Sequence, residues 1–243
     1  MLIDRYWQHV DDLFHQVKTK EKEDIIKAGK LIAEAVDAGA CVHIHDTGHI
    51  VDAELIGRGG GLILFKEFKY QLNVNNPVRK RDRSDLDTNM EGLAAYALKA
   101  SGARPGDVLI VGTVSGRTFS AVDLSFEAKK MGLKIVLITS ESYATAVEAV
   151  HSSGIKLYDI ADVVIDNCAP PTEGMMDVEG MEAKLCAASG LTSAFIMWSI
   201  TTVLVEELMK RGKTPGVYKS YNAPGGDEYN SSHVRPQYDE KGY

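Results

Sequence analysis

Cysteine is scarce in this chain of 243 residues: Cys41, Cys168 and Cys186 are odd in number and far apart. That argues against a disulfide framework or a cysteine-built zinc site and fits a reducing, cytoplasmic setting. Positive charge is short as well. Lys and Arg number 27 against 34 Asp and Glu, a formal net charge of −7. A general nucleic-acid binder carries the opposite balance, so no nucleic-acid partner is expected. No run of about 18 apolar residues offers a membrane span. The opening stretch, Met1 to Phe14, holds acids rather than the apolar core of a signal peptide, and no membrane partner is expected. Neither G-x-G-x-x-G after a strand nor G-x-x-x-x-G-K-S/T occurs, and Gly57 to Gly61 lacks the strand-then-helix setting. Nicotinamide and P-loop nucleotides are thereby disfavoured, and no cofactor is expected.

What is present is ordinary globular composition with a clear order of elements. Ile3, Tyr6, Trp7, Val10, Leu13, Phe14 and Val17 form one helical face, and Ile25, Ala28, Leu31, Ile32, Ala35 and Val36 form a second that stops at Gly39. Strands are expected at Cys41 to His45, Leu62 to Phe65, Val108 to Val111, Ile135 to Ile138 and Val163 to Ile165. Helices are expected to about Ile56, from Asn89 to Ala100, to about Met131, at about 142 to 152, near Val178 to Ala188, and from Leu191 to about Arg211. The strands at 108 and 135 are continuous apolar runs, the mark of strands buried on both faces of a parallel sheet. The pattern is α/β and doubly wound, with a helical N-terminal extension. Residues 1–212 read as one domain. Residues 213–243, rich in Tyr, Pro and Gly, read as a C-terminal extension that packs on the domain or on a partner subunit.

Ligands of such sheets sit beyond the carboxyl ends of the strands, near the point where strand order reverses. Two loops qualify: His45-Asp46-Thr47-Gly48-His49 and Thr113-Val114-Ser115-Gly116-Arg117-Thr118. The second follows a buried strand and opens a helix. It offers three hydroxyls, a glycine that permits close backbone approach, and Arg117. Free N–H groups at the helix start favour an anion such as phosphate. The plainer reading, not exclusive of the first, is that Ser115 or Thr118 caps the helix.

Residues 106–140 resemble the central segment of phosphosugar isomerase (SIS) domains, where a strand leads into an S-x-S-G-x-S/T loop, a helix and a strand ending in Thr. The resemblance implies that Thr113, Ser115, Gly116 and Thr118 cradle a phosphate. It makes Asp46, Thr47, Gly48 and His49 the second ligand loop, and it turns the Thr192 and Ser193 hydroxyls toward the sugar. It also implies a three-layer α/β/α sandwich around a five-stranded parallel sheet, assembled as a homodimer or homotetramer. The nearest branch is that of the phosphoheptose isomerases. Three departures stand out: His49 replaces the usual Ser, Gly59 falls near the position of a catalytic Glu, and the last helix lacks the catalytic His.

Aldose–ketose isomerisation needs a base with a pKa near neutrality. His45, His49, Asp52 and Glu54 stand near the first loop, and Glu173, Glu179 and Glu182 near the last helices. His49 is the leading catalytic candidate, with Glu179 and Glu182, which would share a helix face at a spacing of three. His43, His45 and His49 raise the question of zinc, but a mid-strand histidine is more often a satisfied core residue, and no metal is expected. The basic run Arg79 to Arg83 could draw in an anion or be a solvated loop. The expected activity is therefore binding of a sugar phosphate with aldose–ketose isomerisation. A sugar-phosphate sensor without catalysis and an amino-sugar phosphate lyase are the alternatives.

Overall fold

In the computed structural model, residues 1–49, 52–82, 84 and 90–243 are described. Two long helices, α1 (Leu2–Lys20) and α2 (Lys22–Asp37), precede β1 (Val42–Asp46), α3 (Asp52–Leu55) and β2 (Phe65–Glu67). Then come α4 (Leu93–Ser101), β3 (Val108–Gly112), α5 (Phe119–Met131), β4 (Lys134–Thr139), α6 (Glu141–Ala144), α7 (Leu157–Ile160) and β5 (Val163–Asp166). A small hairpin, β6 (Gly174–Met176) and β7 (Leu185–Ala187), leads into α8 (Ser189–Lys210). The chain closes with α9 (Gly226–Tyr229), a π-helical turn at Asn230–Val234 and α10 (Arg235–Lys241).

The five-stranded sheet is parallel throughout, in the order β2-β1-β3-β4-β5. Alternate strand residues feed two cores. Val42, Ile44, Val108, Ile110, Val136, Ile138, Val163 and Ile165 pack under α2 and α8, while Leu109, Val111, Ile135 and Leu137 pack under α4 and α5. Both faces are covered, which explains the unbroken apolar runs. Gly29 lets α2 lie close on α8: a Cβ there would stand 2.6 Å from Val203 Cβ. By length and composition α8 could cross a membrane, yet its buried face, Ile196, Met197, Ile200, Leu204 and Leu208, belongs to the core against the sheet.

Four expectations need correction. The second strand is Phe65–Glu67 rather than Leu62 to Phe65, because the preceding residues pair with the tail: Leu62 bridges Val217, and Ile63 N–H donates to Gly216 O at 3.0 Å. The helix expected over 142–152 is one turn, Glu141–Ala144, after which the chain is irregular. Near Val178 to Ala188 there is no helix but the β6–β7 hairpin, with Gly174 opposite Ala187 and Met176 opposite Leu185. Gly174 lies so close to the opposite strand that a Cβ would come within 2.5 Å of Lys184 Cβ. The helix expected from Asn89 is α4, which begins at Leu93; Asn89 itself, and Arg83 of the basic run, lie outside the described residues. The tail packs on its own chain: Asn230, fully buried, exchanges hydrogen bonds with the Lys219 backbone, and Lys66 Nζ sits 4.0 Å from the Tyr238 ring centroid.

Candidate functional site

Strand order reverses between β1 and β3. The chain leaves β1 toward β2 on one side and returns to β3 on the other, so the loops after β1 and β3 open side by side. They are tied together: Gly112 O accepts from Thr47 N at 3.2 Å and from Thr47 Oγ1 at 2.9 Å.

The β3–α5 loop is pinned from beneath. Val114 O accepts from Thr139 Oγ1 at 2.9 Å and from Ser140 N at 3.0 Å, and Thr113 N donates to Ile138 O at 3.1 Å. Thr113 Oγ1 lies 3.4 Å from Thr118 Oγ1. Gly116 takes φ +61°, a left-handed backbone that a side chain would strain. Thr118 occupies the N-cap of α5 but makes no side-chain bond to the helix. The capping reading of Thr118 is therefore not realised by its side chain; its carbonyl accepts from Ala121 N at 3.0 Å and Val122 N at 3.1 Å, and among the described residues the N–H groups of Phe119 and Ser120 have no acceptor.

The loop after β1 is shaped by Asp46, whose Oδ1 accepts from Gly48 N at 2.9 Å and His49 N at 2.7 Å. This turn aims His49 at the N-terminus of α8. His49 Nδ1 lies 3.1 Å from Ser189 Oγ and 3.6 Å from Glu173 Oε1, and Ser189 Oγ donates to Glu173 Oε2 at 2.9 Å. A carboxylate only accepts, so the serine hydrogen points to Glu173 and its oxygen faces the histidine. His49 Nδ1 is then the donor, and in the neutral ring Nε2 keeps its lone pair: the tautomer of a general base. Glu173 is presented by a backbone of unusual shape, with Thr172 at φ +70° and Glu173 at φ +68°. Such conformations cost about 1–3 kcal/mol each and concentrate at functional sites.

Beside α3, Lys69 pairs with Asp52 (2.9 Å) and Glu67, and the hydrogen bonding that Asp52 shares with the Glu67 carboxyl and with Lys69 holds its carboxyl below the usual range. Asp52 is engaged in this network, and Asp52 N donates to Asp46 Oδ2 at 3.4 Å.

Not every expected site residue converges here. The stretches Asp46–His49 and Thr113–Thr118 follow neighbouring strands at the switch point and are joined through Thr47 and Gly112; this places Asp46, Thr47, Gly48 and His49 on one loop and Thr113, Ser115, Gly116, Arg117 and Thr118 on the next. Thr192 and Ser193 are buried, and their hydroxyls are used internally: Thr192 Oγ1 on Ala188 O at 3.3 Å, Ser193 Oγ as acceptor from Asn167 Nδ2 at 3.4 Å. Ser189, one turn earlier, is the hydroxyl that meets His49. Sequence reasoning passed over Ser189 because the long helix was expected to begin at Leu191, whereas α8 begins at Ser189 itself. Glu179 and Glu182 lie exposed between β6 and β7, without the helix that would have aligned them; Glu173 is the carboxylate that reaches His49. The three histidines go to separate partners: His43 to Asp107, His45 to the Phe68 carbonyl, His49 to Ser189.

The SIS domain family profile matches residues 5–140. A UPF0309 protein of Shouchella clausii is 30% identical over 95% of this chain and 94% of its own length. A UPF0309 protein of Streptomyces griseus is 30% identical over 90% of this chain and 88% of its own. Among solved structures, the phosphoheptose isomerase of Neisseria gonorrhoeae superposes with a TM-score of 0.53 at 13% identity, covering 85% of this chain and 98% of that one. A phosphosugar isomerase-like protein from Bacteroides fragilis, described as involved in capsule formation, gives 0.51 at 14% identity, covering 87% and 91%.

Proposed function

Because the chain belongs to the SIS domain family, we propose that it binds a phosphorylated sugar and isomerises it between aldose and ketose forms. The observation that carries this reading is the adjacency of two loops at one switch point. One offers the hydroxyls and open helix N–H groups that suit a phosphate. The other offers a histidine whose Nδ1 is occupied and whose Nε2 has no hydrogen-bond partner among the described residues. In this reading Thr113, Ser115, Gly116, Arg117 and Thr118 hold the phosphate, and the Asp46–His49 turn lies along the sugar. His49 Nε2 takes the proton beside the carbonyl and returns it one carbon away. Ser189 and Glu173 hold the ring and stabilise the imidazolium as it forms, in place of Glu179 and Glu182. A positioned base of this kind is worth roughly 10²–10⁴ in rate. Assembly as a homodimer or homotetramer belongs to the same reading. The test is an NMR assay of aldose and ketose phosphates in D2O. Interconversion with deuterium incorporated at the carbon beside the carbonyl supports the proposal, and absence of turnover for every C5 to C7 phosphate rejects the isomerase half.

One observation favours a second reading, a sugar-phosphate sensor. Gly59, near the place of the family's catalytic Glu, packs so tightly that a Cβ would stand 2.8 Å from Ser220 N. No side chain fits there. Tight binding without turnover in the same assay selects this reading.

A further inference from the structure

His45 is the penultimate residue of β1 and lies opposite Val111 of β3. It is 7% exposed. Its Nδ1 lies 3.0 Å from Phe68 O. A carbonyl only accepts, so Nδ1 carries a hydrogen, and in the neutral ring Nε2 is the nitrogen with the bare lone pair. Among the described residues Nε2 has no hydrogen-bond partner, although it is buried. Buried polar atoms are nearly always satisfied, and those that are not call for a separate explanation.

Direction supplies one. The two nitrogens of an imidazole point nearly opposite ways. Phe68 lies just past β2, the neighbour of β1 on one side, so Nε2 is turned away from Phe68 O, while His45 stands opposite Val111, two residues before the Thr113–Thr118 loop. The ring is stacked on Tyr70 at 6.4 Å, and Tyr70 OH reaches Ser120 O, in the first turn of α5, at 3.5 Å. His45 therefore sits beneath a tyrosine that spans from β1 to the helix end following the Thr113–Thr118 loop. That long hydrogen bond is the only one Tyr70 OH makes to the described residues.

We propose that His45 Nε2 is a specificity contact of the site, accepting a hydroxyl hydrogen from the sugar whose phosphate the Thr113–Thr118 loop holds, with Tyr70 moving off the ring to admit it. This rests on the sugar-phosphate reading given above and adds to it a residue that binds the sugar and not the phosphate. His49 and His45 then divide the work. The first faces α8 and transfers a proton, and the second faces α5 and recognises a hydroxyl. No change in protonation of His45 is involved.

The two nitrogens can be separated by substitution. His45→Asn keeps a donor near the Nδ1 position, and so the bond to Phe68 O, but removes the Nε2 acceptor. Binding is measured by calorimetry on the full chain with ribose 5-phosphate, fructose 6-phosphate, glucosamine 6-phosphate, sedoheptulose 7-phosphate and inorganic phosphate. The expected result is a loss of about tenfold or more in affinity for the best sugar phosphate, with inorganic phosphate unaffected. In wild-type protein labelled with 15N-histidine, the Nε2 resonance of His45 should move upfield on saturation with that sugar phosphate and stay in place with inorganic phosphate; this readout does not depend on the variant's folding. Wild-type binding of a sugar phosphate with no affinity change in His45→Asn and no movement of the resonance overturns the proposal alone. A wild-type protein that binds none of the sugars overturns the underlying reading, and the proposal with it.

Discussion

Ser189 Oγ lies 3.1 Å from His49 Nδ1, although 140 residues separate the two. With Glu173 accepting the serine hydrogen, the contact fixes the tautomer of the neutral His49 ring, and Nε2 has no hydrogen-bond partner among the described residues. His49→Gln should reduce turnover of a sugar phosphate by roughly 10²–10⁴ while leaving its affinity within a few fold. Glu173→Gln should lower kcat by less, with KM little changed, since it acts through the ring and not on the substrate. Steady-state kinetics of the two variants separate these outcomes, and equal losses in KM alone would remove His49 from the chemistry.

The α2–α8 contact depends on an absent side chain. Gly29→Ala places a methyl 2.6 Å from both Cβ and Cγ1 of Val203 and 3.2 Å from Ile200 O. Neither helix can yield without disturbing the sheet beneath. A loss of about 1–3 kcal/mol is expected from overpacking, seen in urea unfolding as a lower midpoint with an unchanged slope.

Asp162 fastens β4 to the loop before β5, accepting from Ile135 N and Lys129 Nζ, each at 2.8 Å. Burial works against its charge, but these two donors outweigh it and hold the carboxyl below its ordinary value of 3.8. A group lowered on folding stabilises above its unfolded pKa, and the contribution fades as pH falls through the folded one. Asp162→Asn should therefore be less stable than wild type at pH 7, by about 1 kcal/mol. The difference should shrink as pH falls below about 4. Urea melts across that range give the comparison.

Thiol reactivity should be uneven. Cys168 is half-buried, and burial, followed by the charges of Asp166 and Glu21, pushes its thiol up to about 12. The thiolate is the reactive form. Iodoacetamide at pH 8 should label the exposed Cys41 well before Cys168, and peptide mass spectrometry over time orders the two.

Much of the fold was legible because the decisive signals are local. The runs at 108–111 and 135–138 announce strands covered on both faces, and Gly116 with its hydroxyl neighbours announces a loop built for close backbone approach. The errors arose where distant residues decide. Leu62 to Leu64 have strand character, but their partner is Gly216–Val217 of the tail, not β1. In the β6–β7 hairpin, Val178, Met181 and Leu185 recur at three and four, which imitates a helix; the pairing of Gly174 with Ala187 overrides that rhythm. Glu173 was a named candidate, but its approach to His49 requires left-handed backbone at Thr172 and Glu173, which neither residue type signals. That His45 Nε2 is buried without a partner among the described residues is a property of three-dimensional packing and leaves no trace in sequence.

The central claim is that the loop after β3 holds the phosphate of a sugar. A thermal-unfolding screen against C5 to C7 sugar phosphates, amino-sugar phosphates, NAD and ATP tests it most directly. A ligand at about a hundred times its dissociation constant stabilises by roughly 2.7 kcal/mol, which for a chain of this size raises Tm by roughly 5–11 °C. The account predicts such a shift with a sugar phosphate and its loss in Ser115→Ala/Thr118→Ala. A shift with NAD or ATP alone, or a sugar-phosphate shift that survives in the double variant, would contradict it.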